Sequence, residues 1–252
     1  MLADPATVAR AIHDLPKPSL CLDFDGTLVE IAPRPEAITV DPALPTLLRS
    51  VAASLDGRLA LISGRTHADL STFLDVTDYA VATSHGAQFS APGEGRSRQL
   101  LDSKPLDPLR PSLAQAIAPH PDVYLEDKGT AIAVHTRPNP SVHAELLETV
   151  GKLASDQADI KVSDGKGIVE IKLTGETKGT AIRRLMQMPG WLGSQPVMIG
   201  DDTTDDDGMV DAQQFGGFGV QVGDGPNGAP LSHAALCLPT VADLHAMLRL
   251  LG

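Results

Sequence analysis

Two carboxylates set two residues apart, Asp23 and Asp25, close the apolar run Ser19 to Phe24 and are followed by Gly26-Thr27. A short apolar run ending in acid and glycine reads as a buried parallel strand, and open α/β sheets bind ligands at the carboxyl ends of such strands. Side chains two apart on a strand share a face, so the pair can hold one cation between them or divide into nucleophile and acid/base. The plain alternative is a strand end closed by an Asp-Gly turn. Ser63-Gly64-Arg65 ends a second apolar run, residues 58–63, and reads equally as an ordinary turn or as a hydroxyl and backbone N–H groups brought to the same edge, where they suit a phosphate. Lys178, at the start of a helical stretch, reads on its own as a surface lysine, with the alternative that it adds positive charge at that edge.

A third group of acids follows the run Pro196 to Gly200. Asp201 and Asp202 end it, and Asp205 comes one helical turn later. From Asp201 onward there are eight aspartates against one basic residue, Arg249, and five of the eight fall between 201 and 207. Crowded carboxylates repel one another unless they are solvated or bound to a cation, and hard oxygen ligands at a strand edge suit magnesium. A calcium loop is excluded, because aligning Asp205, Asp207 and Gly208 on that pattern puts Thr203 and Gln214 at its first and last ligand positions. Gly223, Gly225 and Gly228 match G-x-G-x-x-G, but Pro226 lies inside and too little chain follows for a dinucleotide-binding unit. No G-x-S-x-G or H-E-x-x-H motif occurs, so serine-esterase and zinc-protease chemistry have no support.

The elements that must carry these residues are those of a parallel sheet. Strands over 19–24, 58–63 and 79–83 alternate with helical patterns at 44–55 and 66–74. The pattern returns after Lys178 with helices at 179–187, near 205–212 and at 240–251, and strands at 196–200 and 219–222. Between these halves a Gly/Ser/Arg-rich stretch, 90–99, leads into an αββαββ order with turns at Lys128-Gly129 and at 164–167. The expected organisation is a parallel-sheet core over 1–97 and 175–252, interrupted by an antiparallel α+β insert over 98–174.

Composition limits the partners. The chain has 252 residues and a net charge of −12, so the nonspecific attraction that brings proteins to nucleic acids or anionic membranes is missing. Cys21 and Cys237 sit in apolar runs without C-x-x-C spacing and read as small core residues of a reducing compartment. The N-terminus lacks the apolar segment of a secretory signal and no run reaches the roughly 18 apolar residues of a membrane span. A cytoplasmic location is expected.

In the order D-x-D-G-T, Ser, Lys, G-D-D-x-x-D, the signals resemble the haloacid-dehalogenase (HAD) superfamily of phosphohydrolases. That resemblance implies a HAD-like Rossmannoid core with an inserted cap, and a Mg²⁺ cofactor. It implies Asp23 as nucleophile and Asp25 as general acid and then base. Ser63, Gly64 and Lys178 would hold the phosphoryl group, and Asp23, Asp25, Asp201 and Asp205 would form the metal site. More narrowly, LDFDGTL, LISGR, SHGA, EDKGTAIAVHTR, VEIK with GETKGTAI, and IGDDTTDDD are similar to the trehalose-6-phosphate phosphatase family. This implies hydrolysis of trehalose 6-phosphate in trehalose biosynthesis, with a trehalose-6-phosphate synthase as the protein partner to look for. It also implies that Arg65, His85, Gly86, Glu126, Lys128 and Glu170 contact substrate.

The chain departs from the family at Ser84, Gln88, Thr136 and Lys172-Leu173, which bears on the choice of sugar rather than on phosphatase chemistry. A different sugar phosphate, such as sucrose 6-phosphate, is the second enzyme reading, and a non-catalytic phosphosugar sensor the third. Glu126 and Lys128 can also be read as a hairpin salt bridge, and His135 either as a packed strand residue or as one facing a ligand.

Overall fold

The computed structural model describes residues 1–165 and 167–252. They form two units, Met1–Arg98 with Thr177–Gly252, and Gln99–Glu176. In chain order the elements begin with α1 (Pro5–His13), β1 (Pro18–Leu22), α2 (Leu44–Ser54), β2 (Leu59–Ile62), α3 (His67–Phe73), β3 (Ala80–Thr83), β4 (Gln88–Ser90) and β5 (Arg98–Gln99). The second unit contains α4 (Leu109–Ile117), β6 (Tyr124–Asp127), β7 (Ala131–His135), α5 (His143–Ala154), β8 (Ile160–Gly165) and β9 (Ile168–Leu173). The first unit resumes with α6 (Lys178–Leu185), β10 (Gln195–Gly200), α7 (Thr203–Gln214), β11 (Phe218–Val222), β12 (Ala234–Leu238) and α8 (Val241–Arg249).

The first unit is built on a sheet ordered β12-β11-β10-β1-β2-β3-β4, with the two-residue β5 beyond β4. Every pairing from β12 to β3 is parallel, and β4 turns back antiparallel on β3. The alternation of side chains along the strands explains why both faces are covered. Leu20, Leu22, Leu59, Leu61, Val81, Val197 and Ile199 pack on one side with Val8 and Ile12 of α1, Leu48 and Val51 of α2, Leu70 of α3 and Leu244 and Leu248 of α8. Cys21, Ala60, Ile62, Ala82 and Met198 point the other way, toward Ile182 and Leu185 of α6 and Met209 and Ala212 of α7.

The second unit is a four-stranded antiparallel sheet ordered β6-β7-β9-β8. Ile132, Val134, Val169 and Ile171 bury one face against Leu109 and Leu113 of α4 and Leu146 and Val150 of α5. The expected turn at 164–167 includes Lys166, which lies outside the described residues, while Asp164 and Gly165 belong to β8.

Besides the two-residue β5, three elements of the first unit have no counterpart in the sequence expectation. Helix α1 is short, but its signals are in the chain: Asp4 caps it by accepting from Thr7 N, Pro5 starts it, and Val8 and Ile12 are buried one turn apart. Strand β4 has three residues. Strand β12 lies at the sheet edge, which also corrects the reading of Cys237: that residue is only partly buried, whereas Cys21 is fully buried. Among the described residues no helix is long and apolar enough to cross a membrane.

Candidate active site

Register brings the acidic motifs together. Leu22 of β1 pairs with Ile199 of β10, and the Asp23 amide donates to the Ile199 carbonyl at 2.9 Å, so Asp23 leaves the sheet beside Gly200 and Asp201. On its other side β1 pairs with β2, whose end carries Ser63, itself anchored by its amide to the Ala82 carbonyl of β3. Neighbouring strands lie about 4.8 Å apart, so three motifs far apart in sequence meet at one edge.

Lys178 ties two of them. It is the first residue of α6, whose start is fixed by a capping box between Thr177 and Thr180. Its Nζ lies 2.7 Å from Asp23 Oδ1 and 2.6 Å from Asp205 Oδ1, and all three residues are buried. The second oxygen of Asp205 accepts from the amides of Asp201 and Asp202 at 3.1 and 3.0 Å, so this carboxylate shapes the turn between β10 and α7. Asp201 accepts a 3.4 Å hydrogen bond from Thr27 Oγ1. Close approach here requires Gly26: its φ is +77°, and a Cβ would fall 2.2 Å from Asp201 Oδ2.

One oxygen from each of Asp23, Asp201 and Asp205 lies within 4.8 Å of the others. Three carboxylates against one ammonium leave two negative charges in a largely buried site. Burial, with the neighbouring carboxylates, pushes the Asp201 carboxyl up to about 7. Asp23 is raised well above the usual range by burial and by Asp205 and Asp201, against the opposing pull of Lys178. Burial raises Asp205 in the same way. Burial disfavours the charge on Lys178, but Asp205 and Asp23 outweigh it and hold the pKa above its ordinary value. A divalent cation bound by hard oxygens would balance this charge, so the residues present fit magnesium.

Asp25 and Arg65 are paired. The guanidinium Nε and Nη2 donate to the two Asp25 oxygens, each at 2.7 Å, and the Asp25 side chain stays 37% exposed. The Ser63-Gly64-Arg65 turn is clamped by amides from the segment after β3: Ser84 N donates to the Arg65 carbonyl at 2.7 Å and His85 N to the Ser63 carbonyl at 3.1 Å. Ser84, His85 and Gly86 all have positive φ, an uncommon conformation for the first two that places their amides for this clamp. Gly64 leaves room for the His85 ring, since a Cβ there would lie 2.8 Å from His85 Cε1.

Within the second unit, the sheet face opposite α4 and α5 carries the polar residues. Tyr124 pairs with His135, Glu126 with Ala133, and Ala133 with Glu170, so all five share that face. Lys128 Nζ is 3.2 Å from Glu170 Oε1 and 4.0 Å from Glu126 Oε2, so the closer salt bridge crosses to β9 rather than closing the hairpin. His135 is buried and its Nε2 lies 2.8 Å from Glu126 Oε2. Sequence reasoning left His135 open and did not single out Tyr124; their pairing is visible only once the hairpin register is known.

Residues 21–239 match the trehalose-phosphatase family model. A probable trehalose-phosphate phosphatase of Sinorhizobium fredii is 32% identical over 240 residues, covering 95% of this chain and 89% of that protein. The trehalose-6-phosphate phosphatase of Escherichia coli is 35% identical over 204 residues, covering 81% and 76%. Among solved structures, the C-terminal domain of the Candida albicans trehalose-6-phosphate phosphatase aligns with a TM-score of 0.83 at 19% identity, covering 99% of this chain and 97% of that one. With this match the chain belongs to the trehalose-phosphatase family and is a phosphoric monoester hydrolase, and its fold is like that of a haloacid-dehalogenase-like hydrolase from B. subtilis, with a TM-score of 0.65 at 17% identity.

Proposed function

We propose that this chain hydrolyses trehalose 6-phosphate to trehalose and phosphate through an aspartyl-phosphate on Asp23. The observation that carries the reading is the Lys178 ammonium held between Asp23 and Asp205 at 2.7 and 2.6 Å. A carboxylate can attack a phosphate dianion only where their repulsion is offset, and Lys178 puts a fixed positive charge at the attacking group. Asp23 forms the new O–P bond as the bond to the sugar oxygen breaks, and Asp25 gives that oxygen its proton. Asp25 then takes a proton from the water that attacks phosphorus, releasing phosphate and restoring Asp23. Ser63 and the amide of Gly64 hold phosphoryl oxygens.

Mg²⁺ would be held by Asp23, Asp201 and the backbone carbonyl of Asp25, with Asp205 in support, and when bound it supplies further charge compensation for the phosphate. Glu126, Lys128 and Glu170 recognise sugar hydroxyls, and the second unit thus acts as the specificity cap. The two unpaired cysteines agree with a reducing, cytoplasmic setting. Phosphate release across a panel of sugar phosphates, with and without Mg²⁺, tests the reading. Turnover should be greatest with trehalose 6-phosphate and should vanish without the metal. A preference for sucrose 6-phosphate would move the assignment, and no release from any ester would leave a phosphosugar sensor.

A further inference from the structure

Family resemblance places Arg65 on the substrate, yet its donors are directed elsewhere. Nε and Nη2 grip both oxygens of Asp25 at 2.7 Å, Nη1 donates to Asp69 Oδ2 at 2.7 Å, and Nη2 also donates to the Pro35 carbonyl at 2.8 Å. These contacts use four of the five N–H bonds of a guanidinium. The group is also packed against aromatic rings, 4.8 Å from the Phe73 centroid and 5.7 Å from that of Phe24, and the side chain is 6% exposed. Little of it is left to meet a sugar.

We propose that Arg65 is a positioning residue for Asp25, setting the orientation of the carboxylate that transfers the proton. The inference rests on the reading of Asp25 as general acid and base given above. A carboxylate with a side chain more than a third exposed, on a long loop, would sample several rotamers if nothing held it. A bidentate fork fixes both oxygens at once, which a single ammonium cannot do. The fork is itself fixed from behind. Asp69 lies in the first turn of α3, where Thr66 Oγ1 accepts from its amide at 3.1 Å, and the Pro35 carbonyl ties the loop after β1 to the same guanidinium. The chain of contacts runs from the start of α3 through Asp69 and Arg65 to Asp25, so the geometry of proton transfer is set by a helix end rather than by the loop that carries Asp25.

The test is single-turnover release of the alcohol from trehalose 6-phosphate and from p-nitrophenyl phosphate, using the full chain with Mg²⁺. Nitrophenolate departs without a proton, whereas a sugar alkoxide needs one, so misplacing the acid penalises only the sugar ester. For Arg65→Met we expect trehalose release to slow by about ten- to a hundredfold, nitrophenol release to stay within about threefold, and the affinity for the sugar ester to stay within about twofold. Arg65→Lys, which keeps the charge but not the fork, should recover part of the lost rate. If Arg65→Met does not fold, Asp69→Asn loosens the fork while leaving Arg65 in place and should give the same pattern more weakly.

Equal slowing with both esters would make Arg65 a purely structural residue and overturn the proposal. Weakened binding of the sugar ester at an unchanged rate of release would make it a sugar contact and overturn the proposal as well. If the unmodified protein instead prefers another sugar phosphate, the substrate reading fails while this comparison is made with the preferred ester.

Discussion

The Tyr124 ring lies flat on the imidazole of His135, with centroids 4.4 Å apart and 6° between the planes, on the polar face of the sheet in the second unit. The buried histidine has one ring nitrogen on Glu126 and one face covered by an exposed aromatic, so it fixes the direction of a carboxylate proposed to bind a sugar hydroxyl. A hydrogen bond to a charged group contributes about 1.5–3 kcal/mol. Glu126→Ala should therefore lose roughly ten- to a hundredfold in kcat/KM for the disaccharide phosphate. His135→Ala, which removes only the support, should lose less, about tenfold, with a matching rise in KM. Both variants should hydrolyse p-nitrophenyl phosphate normally, because binding energy from the remote part of a substrate is what they remove. Equal losses on the two esters would show that the pair only holds the hairpin together.

Asp23→Asn should remain folded and turn over at less than about a thousandth of the original rate, since an amide is a poor nucleophile at phosphorus. The same change removes one of three crowded carboxylates, so the metal-free protein should melt no lower than the parent. Steady-state phosphate release and a thermal melt read the two outcomes on one preparation. Retained turnover would exclude an aspartyl-phosphate on this residue.

Lys178→Met probes the other half of that pair. Removing a buried cation leaves Asp23 and Asp205 without their shared partner, and breaking a buried ion pair from one side costs about 3–5 kcal/mol. A drop of this size in the stability found by urea denaturation, with loss of activity, is the expected result. A stability change below about 1 kcal/mol would mean that the carboxylates take up protons at little cost.

Much of this site is legible in the chain because strand ends are. Asp23, Ser63 and Asp201 each follow a short apolar run, and a parallel sheet with neighbouring β10, β1 and β2 must bring such ends to one edge. Lys178 is legible as a cation at a helix start, although nothing in its spacing reveals that Asp205, 27 residues later, shares it with Asp23. The Arg65–Asp25 fork is less visible still. It spans 40 residues, and its only local trace is the i,i+4 spacing of Arg65 and Asp69. Periodicity reports which face of an element is buried, whereas pairing between polar groups on separate loops depends on register and on how the loops fold back.

The metal-free protein should lose stability as pH rises. In the folded chain the Asp201 carboxyl is raised from an ordinary value near 3.8 to about 7, and Asp23 and Asp205 shift in the same direction. Between those limits the folded state keeps a proton that the unfolded state has released, so stability is greatest below about pH 4 as far as Asp201 is concerned and falls until about pH 7. Added Mg²⁺ favours the ionised site and binds only the folded protein, so it should raise the melting temperature most at neutral pH and least under acid conditions. Melts in chelator and in excess Mg²⁺ across this range check the sign. A metal-induced rise that grows toward acid pH would contradict the assignment of these aspartates.

Gly26→Ala offers a test that removes no charged group. The new methyl group would have to adopt a positive φ and would meet Asp201 Oδ2 at 2.2 Å, so either the loop after β1 or the Asp201 carboxylate must move. Because Asp201 and the Asp25 carbonyl lie on the two sides of that contact, the proposed ligand set opens while Lys178, Asp23 and Asp205 keep their ion pairs. The expected phenotype is a Mg²⁺ requirement raised about tenfold or more, with much of kcat recovered at saturating metal. Gly57→Ala is the control: its φ is also positive, at +78°, but a Cβ there meets nothing within 4 Å. It should therefore show the backbone penalty alone, as a lower melting temperature with an unchanged Mg²⁺ dependence. If the two alanine variants differ only in stability, the closeness of Gly26 to Asp201 has no part in binding the metal.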